Sequence, residues 1–87
     1  MDLRTWGFES RDVVVVTGAG SGIGRATAVA AAELGLAVSA WDISADGLEA
    51  TTNQLGDDSL GLIADVTDPE AVAGAFAETV AQAIQAS

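Results

Sequence analysis

Residues 17–24, TGAGSGIG, follow a run of valines and precede an alanine-rich stretch, and their types suit the holding of an anion against bare backbone. An anionic oxygen reaches a peptide N–H only where no Cβ stands in the way, and glycine has none. On this reading Gly18 turns the chain tightly out of the valine run, Gly22 lets the backbone approach a pyrophosphate, and Gly24 lets the following helix pack close to the strand. The amides around Gly22 and Ile23 would face the ligand. A helix starting here has four N-terminal amides without an internal partner and about half a positive charge from its aligned peptide dipoles, so no basic side chain is required. The plainer alternative is that the glycines only connect two elements.

A carboxylate at the right distance strengthens the first reading. Asp42 ends the stretch LAVSAWD, roughly twenty residues beyond the glycines, where an acidic side chain can accept hydrogen bonds from both hydroxyls of an adenosine ribose and repel a 2′-phosphate. Asp42 is otherwise a solvated strand end or the N-cap of the next helix. Ser21 belongs to a loop with neither Arg nor Lys to pair with an extra phosphate. Arg25, one turn into the helix, is expected to point to solvent or to an acidic group rather than to a 2′-phosphate. Asp65 follows a third apolar run, where it is either part of a site or a solvated loop residue.

These residues need elements to position them. Asp12 to Thr17 is a continuous β-branched run, the pattern of a central strand buried on both faces. Ile23, Ala26, Ala30 and Leu34 recur at three and four residues, predicting the buried stripe of a helix that Gly35 ends at its C′ position. Leu36 to Trp41 reads as a second strand. Ser44 can cap a helix through Leu48 to about Leu55, closed by Gly56. Ser59 to Ala64 gives a third strand, and TDPEAV supplies a helix start, with Thr67 or Asp68 as N-cap and Pro69 in the first turn. The last helix carries Val72, Phe76, Val80 and Ile84 as an apolar stripe. A β-α-β-α-β-α order implies an α/β fold in which parallel strands are joined by right-handed crossovers, with helices covering the sheet.

Composition excludes several classes. The 87 residues carry a net charge of −10 and are 49% hydrophobic, which suits one small folded domain of acidic surface. There is neither cysteine nor histidine, so no disulfide, thiolate site or ordinary zinc site is expected, and a metal-free cytoplasmic protein is the default. The segment MDLRTWGFESRD lacks the pattern of a secretory signal, and no apolar run approaches the roughly 20 residues of a bilayer span. The cationic side chains are Arg4, Arg11 and Arg25 alone, too few for a nucleic-acid surface. Trp6, Phe8, Trp41 and Phe76 are scattered without basic neighbours and read as core or partner-contacting hydrophobes rather than base-stacking platforms.

TGAGSGIG resembles the T-G-x-x-x-G-x-G cofactor motif of the short-chain dehydrogenase/reductase family, and WDIS and ADVTD fall where that family carries its ribose-binding and adenine-contacting acids. The resemblance covers nearly the whole chain and implies the first half of a three-layer Rossmann-type sheet, strand order 3-2-1, over residues 1–87. It implies a nicotinamide dinucleotide, which Asp42 and the absence of a cation within Gly18 to Gly24 specify as NAD, with Gly18, Ser21, Gly22, Ile23 and Gly24 at the pyrophosphate, and Asp42 and Ile43 flanking the adenosine. Asp65 would accept from the adenine amino group, and the Val66 amide would donate to the ring. That family transfers hydride with a Tyr-x-x-x-Lys pair, a Ser and usually an Asn located further on. This chain has no Tyr and no Lys, and Asn53 lies outside the family's N-A-G context, so no catalytic residue is assigned and the 87 residues alone are expected to be inactive. Two readings follow: the NAD-binding portion of an oxidoreductase, or a stand-alone or engineered nucleotide-binding or scaffold module. In the first, Val13 to Val16 become an exposed strand edge open to self-association or to a C-terminal half.

Overall fold

Residues 13–56 and 59–86 are described by a computed structural model of the chain. The β-branched side chains of the valine run favour extended backbone and form β1 (Val13–Thr17). There follow α1 (Gly22–Glu33), β2 (Ala37–Asp42), α2 (Ala45–Thr52), β3 (Ser59–Ile63) and α3 (Pro69–Ala86). Asp12, Trp6 and Phe8 lie outside the described residues.

Local signals place most of the boundaries. Gly35 has φ 85°; its amide donates to Ala32 O and that of Leu36 to Ala31 O, the paired bonds that close a helix at a left-handed C′ glycine. The Ser44 side chain caps α2 by accepting from the Gly47 amide at 3.2 Å. Asp68 rather than Thr67 starts α3, its Oδ1 accepting from the Glu70 amide at 3.0 Å. β2 and β3 each depart from expectation by about a residue, whereas α2 stops at Thr52 and passes into turns at Asn53–Leu55 instead of continuing to Leu55.

All pairing is parallel, with Val13 opposite Ala37 and Val38 opposite Ser59, so β2 lies between β1 and β3. The pleat sends alternate side chains to opposite faces. Val14, Val16, Val38 and Ala40 meet Ala28 and Ala31 of α1 and Leu48 of α2. Val15, Trp41 and Leu62 meet Val72 and Ala75 of α3. The sheet is therefore covered by α1 and α2 on one face and by α3 on the other, in three layers. No described helix is long and apolar enough to cross a membrane.

Three packing expectations are corrected. In α1 the stripe Ile23, Ala26, Ala30, Leu34 faces outward, Ile23 being 86% exposed, while Ala28 and Ala31 are buried. Small side chains occupy the contact because the helix is drawn tight to the strand at its start: a Cβ on Gly24 would stand 1.9 Å from Gly18 O. In α3 Val72 is half-buried, but Phe76 and Val80 are about half exposed, and Ala75 and Thr79 are buried instead. The side chain of Ile84 lies outside the described residues. A turn of about 100° separates neighbouring positions on a helix, and Trp41 decides which one faces in. The indole is 1% exposed and sits over Ala75, and Phe76 touches it edge-on from the flank, ring centroids 4.9 Å apart. Finally, of the valines in β1 only Val16 is buried, because among the described residues β1 pairs on one side only.

A buried polar chain locks α3 to the sheet. Thr79 Oγ1 donates to Ala75 O at 2.8 Å. A hydroxyl has one proton, so Ser39 Oγ donates to Thr79 Oγ1 at 2.8 Å and accepts from Trp41 Nε1 at 2.8 Å. Every buried side-chain polar atom among the described residues has a partner, as burial requires.

The rotated face of α1 makes a direct comparison. Ala28→Leu should destabilise the fold by about 1–3 kcal/mol through overpacking, and Ala30→Leu by less than about 0.5 kcal/mol, as for an exposed position. Urea unfolding of the two variants checks the order; equal losses would contradict this packing.

Candidate functional site

Parallel strands bring their C-terminal ends to one rim, and the site is built there. After β1 the backbone makes one further ladder bond, Ala19 N–H donating to Trp41 O at 2.9 Å, before the loop turns into α1. Gly18 and Gly22 have φ of 68° and 57°, a region that side chains with a Cβ rarely adopt. Open space surrounds both positions, so backbone conformation rather than crowding selects glycine.

The loop leaves donors free. Ser21 precedes α1 in extended conformation, and its side chain makes no capping bond. The first amide to bond within the helix is that of Arg25, to Ser21 O at 3.3 Å. The amides of Gly22, Ile23 and Gly24 thus have no partner inside the helix, no acidic side chain occupies the first turn, and Ser21, Gly22 and Ile23 are exposed. That is a donor set for an anion at the positive end of a helix dipole.

Asp42, half-buried at the end of β2, is fastened to this loop. Its Oδ2 accepts from the Gly20 amide at 2.8 Å and its Oδ1 from the Ser44 amide at 2.8 Å. Of the two plainer alternatives for Asp42, the capping role is taken by Ser44, and the carboxylate is bonded on both oxygens rather than merely solvated. The Ser44 amide foremost, then that of Gly20, holds the carboxyl below the ordinary aspartate value, against a partial desolvation that raises it, with a smaller lowering contribution from Ile43. Each carboxylate oxygen keeps a further lone pair, so the group can still accept from a ligand. Ile43 beside it is 70% exposed.

Arg25 corrects an expectation. It points neither to solvent nor to an acid but behind the loop: Nε donates to Thr51 Oγ1 at 2.8 Å, and one terminal nitrogen donates to Gly20 O at 2.5 Å and Gly47 O at 3.3 Å. Carbonyls turned inward by the loop require donors, and this side chain supplies them. Thr51, fully buried, adds its hydroxyl to Ala19 O at 2.6 Å, with Gly47 O at 3.1 Å a second acceptor. A Cβ on Gly47 would lie 2.6 Å from Gly20 O, so the first turn of α2 rests directly on the loop. Thr51 and Gly47 escaped the sequence reading; the available signal was a glycine inside the first turn of a helix, where better helix formers are expected, with threonine one turn later.

Asp65 and Val66 sit after β3, one strand further along the rim, both exposed. Asp65 Oδ1 accepts from the Thr67 hydroxyl at 2.6 Å and the Thr67 amide at 2.9 Å, and these two bonds, in that order, hold its carboxyl below the ordinary value. Gly18, Ser21, Gly22, Ile23 and Gly24 thus form one loop bound to Asp42. Among the described residues, Asp65 and Val66 connect to it through the neighbouring strand, where the Ala64 amide donates to Asp42 O at 3.0 Å.

This arrangement has known counterparts. The profile of the short chain dehydrogenase family matches residues 12–85, and the chain belongs to that family. It is 46% identical over 72 residues to versicolorin reductase 1 of Aspergillus parasiticus, an alignment covering 78% of this chain and 28% of the relative. It is 46% identical over 66 residues to D-threitol dehydrogenase of Mycolicibacterium smegmatis, covering 72% and 25%. Among solved structures, the apo-form glucose dehydrogenase of Caenorhabditis elegans superposes with a TM-score of 0.80 at 30% identity, covering 84% of this chain and 33% of that one. The 3-ketoacyl-(acyl-carrier-protein) reductase of Brucella melitensis, solved with NADH, superposes with a TM-score of 0.79 at 30% identity, covering 83% and 30%. The chain spans about a quarter to a third of the length of these relatives, all of them named as reductases or dehydrogenases.

The lowered carboxyl of Asp42 fixes a pH dependence. Its ionised form is favoured by folding, so its contribution to stability is present above the ordinary aspartate value of 3.8 and is lost as pH falls through the lower folded value. The Gly20 and Ser44 amide proton resonances should titrate together, with a common midpoint below 3.8, and in Asp42→Asn neither should show that transition. Separate midpoints, or one above the ordinary value, would break the pairing.

Proposed function

We propose that this chain is the NAD(H)-binding portion of a short-chain dehydrogenase/reductase, with the proton-transfer machinery supplied by residues outside these 87. The observation that carries the reading is the bond between the Gly20 amide and Asp42, which sets a ribose acceptor beside amides left free for a pyrophosphate. The residues fit the group. The amides of Ser21, Gly22, Ile23 and Gly24 would take phosphate oxygens, and Gly18 shapes the turn that presents them. Asp42 would accept from the ribose hydroxyls, with Ile43 against the adenosine. Asp65 and the Val66 amide, on the same rim, would meet the adenine. When bound, the cofactor supplies the hydride carrier; this chain's residues bind and orient its adenosine end.

Preference for NAD over NADP follows from charge. A 2′-phosphate would meet the Asp42 carboxylate, and Arg25, the cation nearest the loop in sequence, spends its donors on Thr51 and two carbonyls. The 87 residues contain no Tyr and no Lys, so no group here has the proton donor and neighbouring cation that carbonyl reduction requires. Alone, the chain is expected to bind without turnover.

Calorimetry tests the assignment. NAD should bind more tightly than NADP, and Asp42→Ala should cost about 1–3 kcal/mol of NAD affinity, the scale of a charge-assisted hydrogen-bond pair, while narrowing the difference between the two. With only the adenosine and pyrophosphate held, NAD and ADP should bind alike, at roughly 0.1–1 mM, or about −4 to −5.5 kcal/mol. Gly22→Val should abolish both. Tighter binding of NADP to the unaltered chain would overturn the NAD reading.

The reading extends to assembly. Among the described residues β1 pairs only with β2, and an apolar edge without Lys or Pro invites pairing, whether with a second copy or with a C-terminal half. Sedimentation over a range of concentrations should show association, weakened by Val13→Lys at the exposed start of the strand; a concentration-independent monomer would remove this part of the proposal.

A further inference from the structure

We propose that Arg25, seated by the Thr51 hydroxyl, is a positioning residue that aims the Ser21 amide of the glycine loop at the anion without touching the ligand. The proposal rests on the cofactor reading above. A trans peptide is planar, and its C=O and N–H point in opposite directions, so a side chain that holds the carbonyl aims the amide on the far side. The Ala19–Gly20 peptide is held at both ends, its carbonyl by the Thr51 hydroxyl at 2.6 Å and its amide by Asp42 at 2.8 Å. The Gly20–Ser21 peptide is held at one end only. Arg25 takes Gly20 O at 2.5 Å, and the Ser21 amide, which has no partner among the described residues, is thereby turned away from the guanidinium toward the exposed side of the loop.

Two consequences distinguish this device from ordinary packing. Glycine backbone has little resistance to peptide rotation, so without Arg25 the Gly20 carbonyl is free to swing outward and set a negative dipole where an anion must sit. The guanidinium is also bonded to neutral acceptors, Thr51 Oγ1, Gly20 O and Gly47 O, so none of these contacts cancels its charge, which adds positive potential behind the loop. Because the bond to Gly47 O also reaches the first turn of α2, and Thr51 belongs to α2, the same pair keeps that helix seated on the loop.

The test separates the phosphate part of the site from the nucleoside part. ADP and adenosine are titrated, by amide chemical shift, into the unaltered chain and into Arg25→Gln, Thr51→Val and Thr51→Ser, with thermal melts to confirm folding. Arg25→Gln and Thr51→Val should weaken ADP by about tenfold, the effect of losing one charge-assisted or buried hydrogen bond, and leave adenosine affinity unchanged. Thr51→Ser, which keeps the hydroxyl, should bind both ligands as the unaltered chain does. Equal loss of ADP and adenosine in the variants, or undiminished ADP binding, would overturn the positioning role while leaving the cofactor reading in place. Should Arg25→Gln fail to fold, the Thr51 pair decides. A folded, unaltered chain that binds no ADP would instead end the cofactor reading, and this proposal with it.

Discussion

The hydrogen bond from the Gly20 amide to the Asp42 carboxylate joins the ends of two adjacent parallel strands, and the upper rim is organised around it. Without such a bond the glycine loop would be an irregular connection of high backbone entropy. With it, the loop has a defined distance to β2, and the same carboxylate reaches on to the Ser44 amide and the start of α2. Arg25 and Thr51 complete the constraint from behind by taking the carbonyls that the turn directs inward. The front of the loop is left with amides that nothing among the described residues satisfies, a cost to the folded protein that a bound anion would relieve.

An acidic protein could hold an anion in this way because the relevant charge is local. The overall charge of −10 sets the far field, which solvent screens within about a Debye length of 10 Å. At the loop itself the field comes from a helix dipole, free peptide amides and one guanidinium. Asp42 is the exception, close enough to contribute negative charge and tied by backbone bonds that favour its ionised form.

The two faces of the sheet solve different packing problems. On the side of α1 and α2 the contact is made largely by small residues, Ala28 and Ala31 foremost, as suits a helix drawn close to the strand end at Gly24. On the side of α3 a single indole fills the space, and the helix meets it with Ala75 and with Thr79, whose hydroxyl continues the polar chain from Trp41 through Ser39. The larger apolar side chains, Ile23 and Leu34 on α1 and Phe76 and Val80 on α3, are left outward.

Turn and cap chemistry is local, and it was legible in the amino-acid order. The turn at Gly18 and the helix end at Gly35, the Ser44 cap, a helix start at Thr67 or Asp68, and the three strands with their alternating helices all follow from preferences that act over a few residues. Which face of a helix turns inward does not. Counting apolar residues pointed to Ile23, Ala26, Ala30 and Leu34, and to Phe76 and Val80, because hydropathy rewards large side chains, whereas the contact is set by how closely the backbone is drawn in at Gly24 and by the bulk of Trp41. Arg25 likewise read as a charge facing solvent or an acid, since its partners, Gly20 O, Gly47 O and Thr51, are backbone carbonyls and a hydroxyl more than twenty positions away or hidden in a turn. Chain order therefore settled the elements and the loop, while three-dimensional proximity alone decided the buried stripes and the clamp behind the glycines, because those depend on distances between segments that no local preference encodes.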